Sequence, residues 1–308
     1  MMTRRSMLLG LAAQKRRKAQ IAISFDLEMS RNFPTWETTH WDYEKGNLDE
    51  ASKRYSREAA RLVAARGGRI HFFAVGRVLE QENTGWLEEI LGAGHAVGNH
   101  TYDHVNVLAR RAEELQFRFK RAPWLLRGAP VAEAIDENVR LCTEAMRLRL
   151  KAQPNGFRTP GGFPEGLAGR EDVQRLLGKH GFTWVSSKYP RHPVDVADPA
   201  RYLPAALQAA QPYRYPETGL IEVPMSPVSD INAFRNGRWP LERFVESIRF
   251  AVQWAIDNGA VFDLLAHPSC LGVVDGEMRT LEAICALVQK AGDRAEFATL
   301  DAIAAGLH

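Results

Sequence analysis

The chain has 308 residues, 45% hydrophobic and 25% charged, the balance of a globular protein able to bury a sizeable core. No apolar run approaches the roughly 18 residues that a membrane-spanning helix requires. Lys and Arg number 40 against 37 Asp and Glu, yet Arg4, Arg5, Lys15, Arg16, Arg17 and Lys18 all fall in the first 20 residues, which hold no acid. From Ile21 onward acids are in slight excess, which disfavours a broad nucleic-acid-binding surface.

In chain order, residues 1–20 form a basic leader. Thr3-Arg4-Arg5-Ser6-Met7-Leu8 resembles the start of a twin-arginine export signal, but the apolar stretch Met7–Ala13 is short and is followed at once by Lys15–Lys18. Export to the periplasm and a solvated basic terminus on a cytoplasmic protein are the two readings. Residues 21–308 read as one domain, with no internal repeat. Ile21–Phe25 is a β-rich apolar run. Glu50–Arg66 is rich in helix formers and stops at Gly67-Gly68. Arg69–Val75 reads as a strand, Gly85–Leu91 as a helix, His95–Asn99 as a short segment, and Leu108–Leu150 as mostly helical with breaks at Pro123 and Pro130. Gly156–Arg158, Phe182–Ser186, Leu220–Val223 and Val261–Ala266 read as short buried strands, with helices at Leu167–Lys179 and Leu241–Asn258 between them.

Short apolar strands separated by helices imply a parallel sheet covered by helices. About seven of them favour an α/β fold of distorted (β/α) barrel type. A doubly wound sheet is the alternative, but neither GxGxxG nor GxxxxGK[ST] occurs in the chain. Cys142, Cys270 and Cys285 form no CxxC pair and read as small core residues.

In a parallel barrel the chemistry collects at the C-terminal ends of the strands. The polar residues there are Asp26, Glu28, His100, His104, Arg158 and His267. His100 and His104 are four apart, so on a helical turn both imidazoles reach one ion. Thr101 stands where the HExxH metalloproteases carry their Glu, so this is a different site and its base lies elsewhere. Asp26 and Glu28 share a strand face. One carboxylate on a metal and one free to take a proton from water is the division of labour that hydrolysis needs; the plainer alternative is that an acid caps a turn. His267, followed by Pro268, suits a general acid or, alternatively, a packed core histidine. His40, His71, His180, His192 and His308 lack such partners and read as surface or packing residues. Phe33, Trp36, His40, Trp41 and Tyr43 could stack on sugars or plug one barrel end, and Arg235, Arg238 and Trp239 read as a solvated surface or a polymer grip.

Taken together these segments resemble the polysaccharide deacetylase family (carbohydrate esterase family 4). The resemblance rests on Ser24-Phe25-Asp26-Leu27-Glu28, His71-Phe72-Phe73-Ala74-Val75-Gly76, Gly98-Asn99-His100-Thr101-Tyr102-Asp103-His104, Arg158-Thr159-Pro160-Gly161-Gly162, Trp184 in Gly181-Phe182-Thr183-Trp184, and Leu265-Ala266-His267-Pro268. It implies a seven-stranded distorted barrel and metal-dependent removal of N-acetyl groups from an aminosugar polymer, such as a cell-envelope or exported polysaccharide. By the same resemblance Glu28, His100 and His104 hold a divalent ion, Zn²⁺ foremost, and Asp26 is the base, paired with Arg158. The Gly161 N–H binds the oxyanion, Trp184 belongs to the fourth motif near the substrate, and His267 donates a proton to the departing amine.

Two departures stand out. The acids are offset, with Leu27 between them, as in peptidoglycan deacetylase-like and cyclic-imide or ureide hydrolase-like branches. Near Trp184, where the family carries an acid that orients the histidine, the chain has Ser186 and Ser187. Asp263 lies four residues before His267, roughly 13 Å along a strand. The alternatives to a deacetylase are therefore a cyclic-amide or ureide hydrolase and a non-catalytic glycan-binding relative.

Overall fold

The computed structural model describes residues 17–28, 45–196 and 198–307. Most of the leader, the aromatic cluster Phe33–Tyr43 and His308 lie outside them. The strands are β1 (Ala19–Leu27), β2 (Ile70–Ala74), β3 (Ala96–Asn99), β4 (Gly156–Phe163), β5 (Trp184–Lys188), β6 (Tyr213–Arg214), β7 (Ile221–Glu222), β8 (Val261–Ala266) and β9 (Ala295–Phe297). The main helices are α1 (Glu50–Ala65), α2 (Gly85–Gly92), α3 (Val131–Leu150), α4 (Glu171–Lys179), α5 (Leu203–Ala209), α6 (Leu241–Asn258), α7 (Pro268–Val274), α8 (Arg279–Ala291) and α9 (Leu300–Ala305). None is long and apolar enough to cross a membrane.

The strands form one curled sheet in the order β6-β7-β5-β4-β3-β2-β1-β8, with β9 also on β1. Every pairing is parallel except β6 with β7. This is the expected α/β architecture, a half-barrel with a seam between the β6–β7 end and β8. One backbone hydrogen bond and two side chains bridge that seam in place of a ladder. The Ser226 N–H donates to the Asp263 carbonyl (3.2 Å) and the Ser226 hydroxyl accepts from the Asp263 N–H (2.9 Å). The Gln211 amide donates to the Val261 carbonyl (3.1 Å) and accepts from its N–H (2.9 Å).

The period-2 alternation of a strand divides β1 into two functions. Ile21, Ile23, Phe25 and Leu27 face outward into the main apolar core beneath the helices. Ala22, Ser24, Asp26 and Glu28 face the interior, where Ala22 joins Phe73, Trp184 and Ile221 at the lower end. The interior thus grades from apolar at the N-terminal ends of the strands to charged at their C-terminal ends. On β8, Phe262, Leu264 and Ala266 join the outer core, which leaves Asp263 and Leu265 on the alternate face, in line with His267.

The covering helices form for local reasons. Asp49 caps α1 by accepting from the Ser52 N–H (2.8 Å), and α1 buries Tyr55, Ala59, Ala60 and Val63, one face at helical spacing. Helix α6 buries Phe244, Ile248, Ala251, Val252 and Ala255 and ends at Gly259, whose φ of +60° suits a left-handed C-cap.

Three boundaries differ from the sequence reading. Strand β1 starts at Ala19 rather than Ile21, and Lys18 already pairs with Glu296 (3.1 Å). The stretch 108–150 is not one interrupted helix: two short turns (Ala112–Leu115 and Phe117–Arg121), parted at an extended Gln116, and a 3₁₀ segment (Pro123–Leu126) precede α3, with Pro123 opening that segment and Pro130 preceding α3. Residues 164–169 form turns, so α4 begins at Glu171 rather than Leu167.

Candidate active site

The polar ends of β1, β3, β4 and β8 converge on a cavity of about 300 Å³ lined by Asp26, Glu28, Lys45, His104, Thr159, Gly161, Tyr189, Asn232, Arg235 and His267, among others. A larger cavity, about 880 Å³, lies at the opposite end around Trp184 and Asp301. The smaller cavity holds the converging acids and imidazoles.

His100 and His104 do not lie on a helix, contrary to the sequence expectation. The segment is a loop in which Thr101 and His104 both have φ +58°, conformations that cost non-glycine residues free energy and persist only where surroundings hold them. Those surroundings are specific. The Thr101 N–H donates to Asn99 Oδ1 (2.8 Å), and the Thr101 hydroxyl accepts from the Val105 N–H (2.9 Å). The Tyr102 N–H donates to the Asn138 carbonyl, and the Thr101 carbonyl accepts from the Gly76 N–H. The loop brings the two imidazole centroids to 5.0 Å.

Glu28, rather than Asp26, groups with both rings. One ligand atom each from Glu28, His100 and His104 lie within 4.8 Å of one another. His100 Nδ1 lies 2.9 Å from the Arg158 carbonyl, which only accepts, so Nδ1 carries the proton. Nε2 of the same ring faces Glu28 Oε2 at 3.3 Å, and His104 Nε2 contacts the same oxygen. One carboxylate and two imidazoles converging in a buried pocket are a donor set that suits Zn²⁺ and similar divalent ions.

Lys45 supplies positive charge there, with Nζ 2.9 Å from Glu28 Oε2 and 3.3 Å from His104 Nε2. Burial would raise the Glu28 pKa, but its contacts with His104, Lys45 and His100 hold it well below the usual carboxylate range. Burial pushes His104 down to about 3 despite the pull of Glu28, which keeps its ring neutral and able to act as a ligand.

Asp26 lies beside this cluster. One oxygen accepts from Arg158 Nη1 (3.3 Å) and the other is 3.7 Å from His100 Nε2. Arg158 is fully buried with its guanidinium 4.6 Å above the Phe73 ring, and its other terminal nitrogen donates to Ser24 Oγ (2.7 Å) and Asp263 Oδ2 (3.0 Å). Asp263, considered from sequence only for its distance from His267, is thus the second carboxylate on Arg158. Burial raises its pKa to about 6 against the pull of that guanidinium.

His267 is oriented by Asp230, a residue the sequence reading did not single out. Its Nδ1 lies 2.9 Å from Asp230 Oδ1, and its backbone N–H donates to Asp230 Oδ2 (2.7 Å). This leaves Nε2 pointing at Glu28 Oε1 (3.2 Å). Burial alone would lower the imidazole pKa, but Asp230 and Glu28 raise it to about 10, so the ring carries a proton at neutral pH. Asp230 follows Leu220–Val223, a run that reads as a strand, and the strand-end rule that found the other site residues could have found it too. Lys45 sits on a turn with no such signal.

Gly161 lines the cavity with φ +81° and open space where a Cβ would stand. Trp184 is elsewhere, a correction to the sequence reading. It is the first residue of β5, buried in the lower core, and its indole N–H donates to Asp301 Oδ1 (2.8 Å). His71 packs in the same region, stacked on Phe73 at 4.4 Å. Arg235 lines the cavity, whereas Trp239 is buried, with its indole N–H on the Val194 carbonyl (2.7 Å). All three cysteines are buried and free.

Fold and site together define an α/β half-barrel with a buried carboxylate–imidazole cluster at its mouth. A family model described as polysaccharide deacetylase matches residues 42–185, a span that includes His100, His104, Arg158 and Gly161 but starts after the offset acids. Over that span, a little under half of its length, the chain is similar to the polysaccharide deacetylase family. Among solved structures, a Pseudomonas aeruginosa PAO1 protein assigned as a polysaccharide deacetylase aligns with TM-score 0.64 at 15% identity, over 93% of this chain and 89% of that one. A Mycobacterium smegmatis protein assigned likewise aligns with TM-score 0.61 at 16% identity, over 96% and 91%. The Puue allantoinase aligns with TM-score 0.61 at 14% identity, over 93% and 89%. At these identities the likeness is one of fold. A search of curated proteins returned no match.

Proposed function

We propose that this cavity hydrolyses the N-acetyl amide of an aminosugar in a polysaccharide, with a divalent ion, Zn²⁺ foremost, held by Glu28, His100 and His104. The observation that carries the reading is the meeting of those three ligand atoms within 4.8 Å, with a carboxylate on one side and an imidazolium on the other. A bound divalent ion would supply Lewis acidity toward the acyl oxygen and acidify water.

The chain's own residues do the rest. Asp26 takes the proton of the attacking water through the oxygen not held by Arg158, and Arg158 fixes the carboxylate in place. His267, protonated and aimed by Asp230, delivers a proton to the departing amine through Nε2. The N–H of Gly161 is the candidate donor to the oxyanion. Asp230 also weakens the case for a non-catalytic relative, which rested on the want of an acid to orient His267.

Metal-loaded protein should release acetate from N-acetylglucosamine oligomers, and the release should vanish in His104→Ala and after chelation. Equal turnover by the chelated variant would refute the reading. A second reading, hydrolysis of a small cyclic amide or ureide, is favoured by one observation: a cavity of about 300 Å³ matches a small ring better than a polymer chain. Ring opening of cyclic imides without acetate release from any glycan would select it.

A further inference from the structure

Lys45 lines this site and has no part in the mechanism above. Its side chain is 1% exposed, and its ammonium lies 2.9 Å from Glu28 Oε2 and 3.3 Å from His104 Nε2. Those are two of the three atoms that would ligate a metal. A divalent ion bonded to both at about 2.0–2.2 Å would stand in contact with Nζ. An ammonium and a divalent ion repel, and they compete for the same lone pairs. We propose that Lys45 is a resident cation of this site and that a divalent ion enters by exchange with its ammonium. The inference rests on the metal reading and adds to it a control on loading built from the chain itself.

The root of Lys45 is fixed by its turn, and its head is held by the two ligand groups it meets. The Gly46 N–H donates to the Glu28 carbonyl (3.1 Å), tying the turn to the end of β1. Gly46 has φ +86°, and a Cβ there would meet Arg77 Cβ at 2.6 Å, so this docking of the turn needs glycine. The four-carbon stem beyond this anchor can swing the ammonium into the cavity that Lys45 itself lines. In the metal-free protein the ammonium adds positive charge beside a buried carboxylate whose other oxygen faces His267, and on loading it gives up that place. The site therefore tolerates being empty and binds its ion more weakly than the same ligands would without the lysine.

The test uses the full chain, stripped with chelator and titrated with Zn²⁺ against a chromophoric competitor, in wild type, Lys45→Met and Lys45→Gln. Both variants remove the charge, and the glutamine serves if the methionine variant does not fold. The expected result is Zn²⁺ affinity at least 10-fold higher in the variants, with metal-free variants melting below metal-free wild type and zinc closing the gap. Affinity equal to or below wild type in both variants overturns the exchange while the metal reading stands. No zinc binding by any of the three proteins overturns both.

Discussion

His267 is held between two carboxylates, and each does a different thing to it. Asp230 grips Nδ1 and the backbone N–H, fixing the ring plane, while Glu28 meets Nε2 from the cavity side. Both raise the pKa against the effect of burial, to about 10. Removing the Asp230 charge lowers that value, so the proton needed for the leaving group is lost at a lower pH. Asp230→Asn should therefore reduce kcat by about 10²–10⁴-fold, the range for a positioned acid–base group. KM should change little, and the alkaline limb of the pH–rate profile should move toward acid. A profile measured from pH 6 to 10 that keeps its alkaline limb in place would show that Asp230 does not act through His267. The pairing joins residues 37 apart in sequence, so it was legible only as a polar residue after a strand, never as a partner.

At the scale of elements, the loop after β3 shows what spacing can and cannot tell. His100 and His104 at a separation of four signalled a shared ion, and the separation suggested a helix. The structure uses the same spacing without one, bending the chain through left-handed Thr101 and His104. Neither residue is a glycine, so nothing local in the sequence announced the bend; contacts with Asn99, Gly76 and Asn138 hold it. Gly76 is the tightest of these supports, since a Cβ there would lie 2.2 Å from Tyr102 Cδ2. Gly76→Ala should push Tyr102 and the loop away from β2. The overpacking should cost about 1–3 kcal/mol in urea unfolding, together with a loss of zinc affinity. Unchanged affinity would mean that the loop tolerates displacement and that its strained geometry is not what sets the ligand positions.

Across the whole molecule, the strands that carry the site were the legible ones. Each was a short apolar run ended by a polar residue, and a parallel barrel gives that pattern directly, because both faces of its strands are buried. Strands β6 and β9, of two and three residues, carry too little pattern to read. The seam between the β6–β7 end and β8 is closed by Ser226 and Gln211, whose roles depend on distant partners. Trp184 shows the converse error. A short motif placed it near the substrate, but its position at the start of a strand puts it at the apolar end of the interior, two residues below Ser186 on the same face. The direction of the parallel strands, more than residue type, decides which side chains reach the mouth.

The account turns on a cation shared by one carboxylate and two imidazoles. X-ray absorption at the zinc edge of the loaded protein measures that shell directly. The predicted spectrum has two histidine nitrogens and carboxylate oxygen at about 2.0–2.2 Å, with imidazole scattering reduced in His104→Ala. A shell made only of oxygen, or a spectrum that His104→Ala leaves unchanged, would contradict it.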